Sequence, residues 1–136
     1  MDESAPASSP VIRTTAMPAD TNPAGDIFGG WLMAHMDLAA ASVATRRAMG
    51  RVATVAVDGM SFLKPVMVGD EVSFYGKIIS TGRTSLKVQI KAWRRLREAE
   101  DSMKVTEAIF TFVAIDKDGR PRPLPYLPPP PELASP

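Results

Sequence analysis

The residues that could do chemistry are concentrated in one stretch, from Met17 to Asp37. Its sequence, MPADTNPAGDIFGGWLMAHMD, combines polar turn residues, glycines and three carboxylates around the start of an apolar helical segment. Gly29 and Gly30 allow a ligand to approach the backbone closely, and the first turn of a helix offers unpaired N–H groups at the positive end of its dipole. In other enzymes, an oxyanion donor is worth roughly 3–4 kcal/mol. The stretch therefore predicts a site that polarises a carbonyl oxygen without a side chain.

Asp37 is the strongest candidate for a catalytic side chain. It follows Gly30 by seven positions, about two helical turns, so the two residues share one face of the helix. The segment around it is the most apolar in the chain, and burying a carboxylate costs several kcal/mol unless it is paired. A carboxylate in this place suits a general base or a nucleophile. The alternative is a structural Asp that accepts hydrogen bonds from the backbone or from a neighbouring subunit.

Three other polar residues in the stretch have structural explanations that compete with a functional one. Asp26 comes shortly before the helix, where a carboxylate is more often a cap or turn former than a catalytic group. Asn22 precedes a proline, and the same argument applies to it. His35 lies two residues before Asp37, so its side chain points about 160° away from the Asp37 face. We therefore predict a structural histidine.

The composition excludes most familiar hydrolase mechanisms. The chain has no cysteine, which removes disulfides, thiolate nucleophiles and Cys-based zinc sites. It has one histidine, and we expect neither a metal nor a redox cofactor. A net charge of +1 gives no electrostatic drive toward nucleic acid or a membrane surface. No apolar run approaches the ~20 residues of a membrane span, and the N-terminus is acidic, so a cytoplasmic protein is expected.

The composition also divides the chain into a core and two ends. With 45% hydrophobic residues, the 136-residue chain fits one globular domain. Residues 1–10 are small, polar and contain proline, which predicts a disordered N-terminus. Eight of the thirteen prolines lie at or beyond Pro121, so residues 121–136 are predicted to form an extended or disordered tail. The domain is therefore expected over residues 11–120.

One helix and five strands are predicted to position the site. The segment from Gly29 to about Met49 has no proline and ends with two arginines before a glycine, which predicts a helix. Because this segment is apolar or small on all sides, we expect a sheet to bury it nearly all round. The strands are predicted at about residues 11–16, 51–60, 72–79, 86–93 and 103–115. One helix before four consecutive strands implies a mostly antiparallel sheet and an α+β fold.

Two long motifs resemble a known family. The string AMPADTNPAGDIFGGWLMAHMD ends at Asp37, and GRVATVAVDGMSFLKPVMVGD runs from Gly50 to Asp70. Together they resemble the YciA-type acyl-CoA thioesterases of the hotdog-fold superfamily, and they are also similar to the brain-type acyl-CoA hydrolases. The resemblance covers about residues 12–122. It implies a hotdog fold, in which an antiparallel sheet wraps around a long central helix.

The resemblance implies an enzyme that hydrolyses acyl-CoA to a free carboxylic acid and coenzyme A. In such an enzyme Asp37 is the base or the nucleophile, and the backbone N–H groups of Gly29 and Gly30 hold the thioester oxygen. Asp26 and Asn22 match the polar residues of the family's active-site loop.

The resemblance also implies an assembly. Two protomers join their sheets, the active sites lie at the dimer interface, and dimers associate further into a trimer of dimers. The carboxylate and the oxyanion donors of one site commonly come from different subunits. The phosphates of coenzyme A are expected near Arg83, Ser85 and Lys64.

Two other functions stay open for a domain of this kind. The first is a non-enzymatic acyl-CoA-binding or regulatory hotdog domain, which binds the thioester without releasing the thiol. The second is a hotdog dehydratase, which needs a catalytic histidine paired with a carboxylate across the interface. The predicted orientation of His35, away from Asp37, disfavours the dehydratase.

Overall fold

The computed structural model describes residues 4–126. Residues 1–3 of the predicted disordered N-terminus and residues 127–136 of the predicted tail lie outside this range. The chain forms one α-helix, five β-strands and a short 3₁₀ turn in the predicted order. The elements are β1 (Ile12–Thr15), the 3₁₀ turn (Pro18–Asp20), α1 (Gly29–Ala48), β2 (Val52–Asp58), β3 (Glu71–Thr81), β4 (Ser85–Arg95) and β5 (Ser102–Ala114).

The five strands form one antiparallel sheet in the order β1-β3-β4-β5-β2. Two hairpins join β3, β4 and β5, whereas β2, which follows the helix, pairs with the far side of β5 and forms an edge of the sheet. A single helix on one face of an antiparallel sheet confirms the predicted α+β class.

Helix α1 packs against the inner face of the sheet with a stripe of small and apolar residues. Its buried residues are Leu32, Met36, Ala39, Ala40, Ala44 and Ala48. Alanines allow the helix to approach the strands closely, and at Gly76 of β3 an added Cβ would lie 3.2 Å from Val43 and 2.6 Å from Ile90. This close contact fixes the position of the helix over the sheet.

The remaining helix surface is open in one protomer. Leu38 is 61% exposed and Met33 is 42% exposed. The prediction that the helix is buried nearly all round is therefore wrong for a single chain, because one five-stranded sheet covers only one side of a helix. The apolar residues on the other side of the helix therefore form an exposed patch of the kind that another chain buries.

A buried ion pair fixes the end of the loop between β2 and β3. Asp70 is 3% exposed, and its Oδ2 lies 3.5 Å from Nη1 of Arg94 and accepts a hydrogen bond from the Met67 N–H at 2.9 Å. The Asp70 carbonyl also accepts from the Ala16 N–H at 2.9 Å. These contacts tie the loop to both β1 and β4.

The chain continues in an extended path beyond residue 120. Ile115 bridges to Pro121, and the Leu124 N–H donates to the Arg83 carbonyl at 2.8 Å. The guanidinium of Arg122 donates to the carbonyls of Ala48 and Ile115, both at 2.9 Å. Residues 121–126 therefore close the C-terminal end of the helix onto the sheet. Between residues 4 and 126, no helix is long and apolar enough to cross a membrane.

Candidate active site

The loop that leads into α1 is organised by Asn22. The Asn22 Oδ1 accepts hydrogen bonds from the N–H groups of Ala24 at 2.9 Å and Asp26 at 3.0 Å, and its N–H donates to the Asp26 carbonyl at 2.7 Å. Gly25 lies in the left-handed region, at φ +89°, inside this turn. Asn22 therefore has its side-chain oxygen engaged in shaping the loop, and its amide Nδ2 has no acceptor in the described part of the chain.

The first turn of α1 presents two free backbone donors. The Phe28 carbonyl accepts from Trp31 at 3.2 Å and Leu32 at 3.5 Å, and no side chain caps the helix. Within residues 4–126, the N–H groups of Gly29 and Gly30 have no acceptor. The geometry thus provides the predicted pair of donors at the positive end of the helix dipole.

A cleft of about 340 Å³ opens beside this turn. Its walls come from the start of α1, the residues before it and the loop between β2 and β3. The lining residues are Asp26, Ile27, Gly29, Leu32, Phe62, Leu63, Lys64, Pro65 and Val66. Of the predicted site residues, the structure brings Gly29, Asp26 and Lys64 together around this cleft.

Asp37 does not line the cleft; it faces β2. Its Oδ1 accepts a hydrogen bond of 2.7 Å from the hydroxyl of Thr54. The β2–β5 register shifts between Thr54 and Ala56, so Val55 is an extra residue in the strand. Thr54 is not among the predicted site residues, because only the paired sheet shows that its side chain meets Asp37.

Asp37 and Gly30 of one protomer cannot act on the same carbonyl group. Seven residues of helix separate them by about 10 Å along the axis. An oxyanion donor and a carboxylate acting on one thioester must both lie within roughly 3 Å of the reacting atoms. Asp37 and Gly30 of one protomer therefore cannot serve the same site, and a site that uses both kinds of group needs a second chain.

His35 is packed on the side of α1 opposite Asp37. Its ring stacks on Phe74 at 5.7 Å and contacts Trp31 at 4.5 Å, and its Nδ1 donates to the Trp31 carbonyl at 2.9 Å. These contacts are those expected of the predicted structural histidine. Asp37 and His35 do not form a pair within one protomer.

The predicted coenzyme A residues lie at opposite ends of the sheet in one protomer. Lys64 follows Leu63, whose N–H donates to the Val105 carbonyl near the start of β5. Ser85, next to the turn that contains Arg83, pairs with Val113 near the end of β5. Eight residues of strand separate these points by roughly 26 Å. Lys64 and the Arg83 turn therefore cannot bind the same phosphate of one molecule in one protomer.

The site offers no set of metal ligands. Among residues 4–126, no group of three or more His, Asp or Glu side chains is placed to hold a metal ion.

In sequence, the chain is similar to thioesterases. The model of the thioesterase superfamily matches residues 24–98. The acyl-CoA thioester hydrolase YciA of Salmonella typhimurium is 52% identical over 118 residues, which cover 85% of this chain and 89% of that protein.

Among solved structures, the chain is also similar to thioesterases. The crystal structure of a hexameric thioesterase from Yersinia pestis superposes with a TM-score of 0.84 at 52% identity, covering 90% of this chain and 99% of the other. An Asp-to-Ala variant of a hexameric, broad-specificity acyl-coenzyme A thioesterase superposes with a TM-score of 0.82 at 47% identity, covering 85% and 86% of the two chains.

Proposed function

Because this chain belongs to the thioesterase superfamily, with the hotdog fold, and is an acyl-CoA thioester hydrolase, we propose that Asp37 is its catalytic carboxylate. The reaction converts acyl-CoA and water into a carboxylic acid and coenzyme A. The observation that carries the assignment is the hydrogen bond from the Thr54 hydroxyl to Asp37 Oδ1, which orients one oxygen and leaves Oδ2 without a protein donor in the described chain.

The backbone at the helix start supplies the electrophilic half of the site. The N–H groups of Gly29 and Gly30 hold the thioester oxygen and stabilise the negative charge that forms on it. Asn22 shapes the loop that leads to these donors. Its amide Nδ2, which has no acceptor in the described chain, can donate a hydrogen bond to substrate or water. Asp26, at the rim of the cleft, positions water or groups of the second subunit.

Asp37 supplies the nucleophilic half. Its Oδ2 either takes a proton from an attacking water or attacks the thioester carbon itself, forming a mixed anhydride that water then hydrolyses. In both routes the C–S bond breaks, the thiolate of coenzyme A leaves with the bonding electrons, and a proton converts it to the thiol. Neither route needs a metal or a redox cofactor.

A dimer brings the two halves together. Asp37 of one protomer meets the Gly29 and Gly30 donors of its partner, which removes the 10 Å gap within one chain. Two features support this arrangement: among residues 4–126 no strand pairs with the outer edge of β2, and Leu38 beside Asp37 is 61% exposed. The active unit is therefore a homodimer whose two sheets join.

A larger homo-oligomer follows from the relatives, several of which are hexameric. We propose a trimer of dimers for this chain. In such an assembly Arg83 and Ser85 of one subunit can approach Lys64 of another, so that together they bind the phosphates of coenzyme A. A cytoplasmic location stays a prediction.

The alternatives receive less support. A dehydratase needs a histidine close to the carboxylate, whereas His35 stacks on Phe74 on the other side of the helix. A domain that binds acyl-CoA without turnover needs no oriented carboxylate. Asp37 is oriented, because it accepts a hydrogen bond from the Thr54 hydroxyl.

The test is the substitution Asp37→Asn, assayed by thiol release from acyl-CoAs of different length. Asn still accepts from Thr54, so we expect the fold and oligomeric state to persist while kcat falls by about 10²- to 10⁴-fold. The matched control is Asp118→Asn in the exposed turn after β5, which should hydrolyse at the wild-type rate. Wild-type turnover by Asp37→Asn would overturn the assignment.

A further inference from the structure

We propose that the cleft beside Gly29 holds the acyl chain of the thioester and that Phe62 is the wall that selects its length. This inference rests on the proposed function, because it takes the carbonyl group to be bound at Gly29. It assigns an occupant to the cleft and a specificity role to a residue that the reaction itself does not use.

The polarity of the cleft fits a hydrocarbon chain. Its floor is formed by Leu32 and Val66, each only 4% exposed, and Ile27 continues the apolar surface. The two charged residues that line it, Asp26 and Lys64, are both exposed to solvent. A nucleotide would bring phosphates and polar groups that this floor cannot satisfy, whereas an alkyl chain gains free energy by leaving water.

The position of the cleft continues the path of the substrate. Gly29 both lines the cleft and carries a backbone N–H without an acceptor in the described chain. A thioester whose oxygen is bound at this N–H has its first acyl carbons at the mouth of the cleft. The ring of Phe62 lies there, since its Cζ is 3.2 Å from the point where a Cβ on Gly29 would sit.

The backbone on both sides of Phe62 is fixed to the sheet. The Leu63 N–H donates to the Val105 carbonyl at 2.7 Å, and the Thr106 hydroxyl donates to the Ser61 carbonyl at 2.6 Å. The ring therefore stands on an anchored support and forms a defined wall. Because Phe62 is 50% exposed, its removal enlarges the cleft without emptying the core.

The Phe62 ring limits the length of chain that the cleft accepts. The walls from one protomer enclose about 340 Å³, at the small end of the usual range for ligand pockets, about 300–1,000 Å³. Within these walls an acyl chain lies against Leu32, and a longer chain must pass the Phe62 ring. Replacing Phe62 with Ala is expected to shift the preference toward longer chains.

The experiment measures binding of S-alkyl coenzyme A thioethers, from ethyl to dodecyl, by calorimetry on the full-length oligomer. These probes have no scissile bond, so binding is measured apart from turnover. For the wild type we expect affinity to rise with chain length and then to level off once the cleft is filled. For Phe62→Ala, the ratio of dodecyl to butyl affinity should rise by about tenfold, in line with the effect of one or two methylenes in an apolar pocket.

Two further variants complete the test. Phe62→Trp enlarges the wall and should move the plateau to shorter chains, which separates selection by size from a loss of structure. Met67→Ala is the matched control, because Met67 is on the same loop and equally exposed, at 49%, but does not line the cleft. It should follow the wild-type curve.

The inference is overturned if Phe62→Ala and Phe62→Trp both keep the wild-type dependence on chain length, or if the wild type shows no such dependence. Failure of the proposed function has a different signature. Thioethers would bind with the expected length dependence, but the wild type would release no thiol from any acyl-CoA.

Discussion

Thr54 connects Asp37 of α1, the proposed catalytic carboxylate, to the edge strand β2 through one hydrogen bond of 2.7 Å. A hydroxyl that donates to a carboxylate stabilises it by about 1.5–3 kcal/mol and restricts its rotation. Thr54 is therefore a positioning residue for Asp37, and it also makes the geometry of the site sensitive to the register of β2.

We expect Thr54→Val, which keeps the shape of the side chain and removes the hydroxyl, to lower kcat by about 10- to 100-fold with little change in KM. Thr54→Ser restores the donor and should recover most of the activity. Steady-state kinetics with one acyl-CoA substrate measure both variants. Equal rates for the Val and Ser variants would show that the hydroxyl does not orient Asp37.

At the residue level, the sequence predicted the groups whose role follows from local pattern. Gly29 and Gly30 precede an apolar helix, and free N–H groups at a helix start require no tertiary information. Asp37 stands out because it is a carboxylate in an apolar segment. Thr54 could not be found in this way, because its contact with Asp37 depends on the pairing of β2 with β5, in which Thr54 lies opposite Phe112, and no local pattern encodes that pairing.

At the level of elements, the helix was predicted from Gly29 to about Met49 and runs from Gly29 to Ala48. Each predicted strand has a counterpart, with β3 extending further at both ends than its apolar alternation indicated. The exposure of the helix could not be predicted, because the same apolar residues pack against a sheet in one protomer or against a second chain in a dimer. Composition alone does not distinguish burial against the protomer's own sheet from burial against a second chain.

Arg122 shows that the segment beyond residue 120 contributes to the stability of the helix. Its guanidinium satisfies the carbonyls of Ala48, Ile115 and, at 3.4 Å, Arg51. The last carbonyls of a helix have no partner within the helix, and a cation at that end also interacts favourably with the dipole.

We expect Arg122→Ala to lower the free energy of unfolding by about 2 kcal/mol, because three carbonyls lose a donor. Urea unfolding at fixed protein concentration measures this change. Arg120→Ala is the control, since the Arg120 side chain is exposed and both of its hydrogen bonds, which join it to Asp116, are made by its backbone N–H and carbonyl; its effect should stay within about 0.5 kcal/mol. Equal stability of the two variants would show that Arg122 does not hold the helix end.

At the level of the whole molecule, the proposed assignment gives one protomer both halves of the chemistry but not one complete site. The surface around Asp37 is apolar and open: Met33 and Leu38 are exposed on the helix. Val57, which faces inward opposite Phe110, is still 39% exposed. A second chain that covers this surface completes the site and removes the free edge of β2 at the same time.

A subunit-mixing experiment tests this arrangement directly. Asp37→Asn removes the carboxylate, and Gly29→Pro removes a backbone donor, because proline lacks an N–H and is tolerated in the first helical turn. The added Cβ lies 3.2 Å from the ring of the half-exposed Phe62, which must shift by a few tenths of an ångström. The preceding residue, Phe28, has ψ 137°, an extended conformation that proline accepts in its neighbour.

Each variant alone should be nearly inactive. When the two chains are co-expressed with different tags, half of the dimers are mixed, and each mixed dimer has one intact site and one doubly damaged site. Activity should therefore return to about a quarter of the wild-type value. If each protomer contained its own complete site, every site would carry one of the two lesions, and the mixture would stay as inactive as either parent.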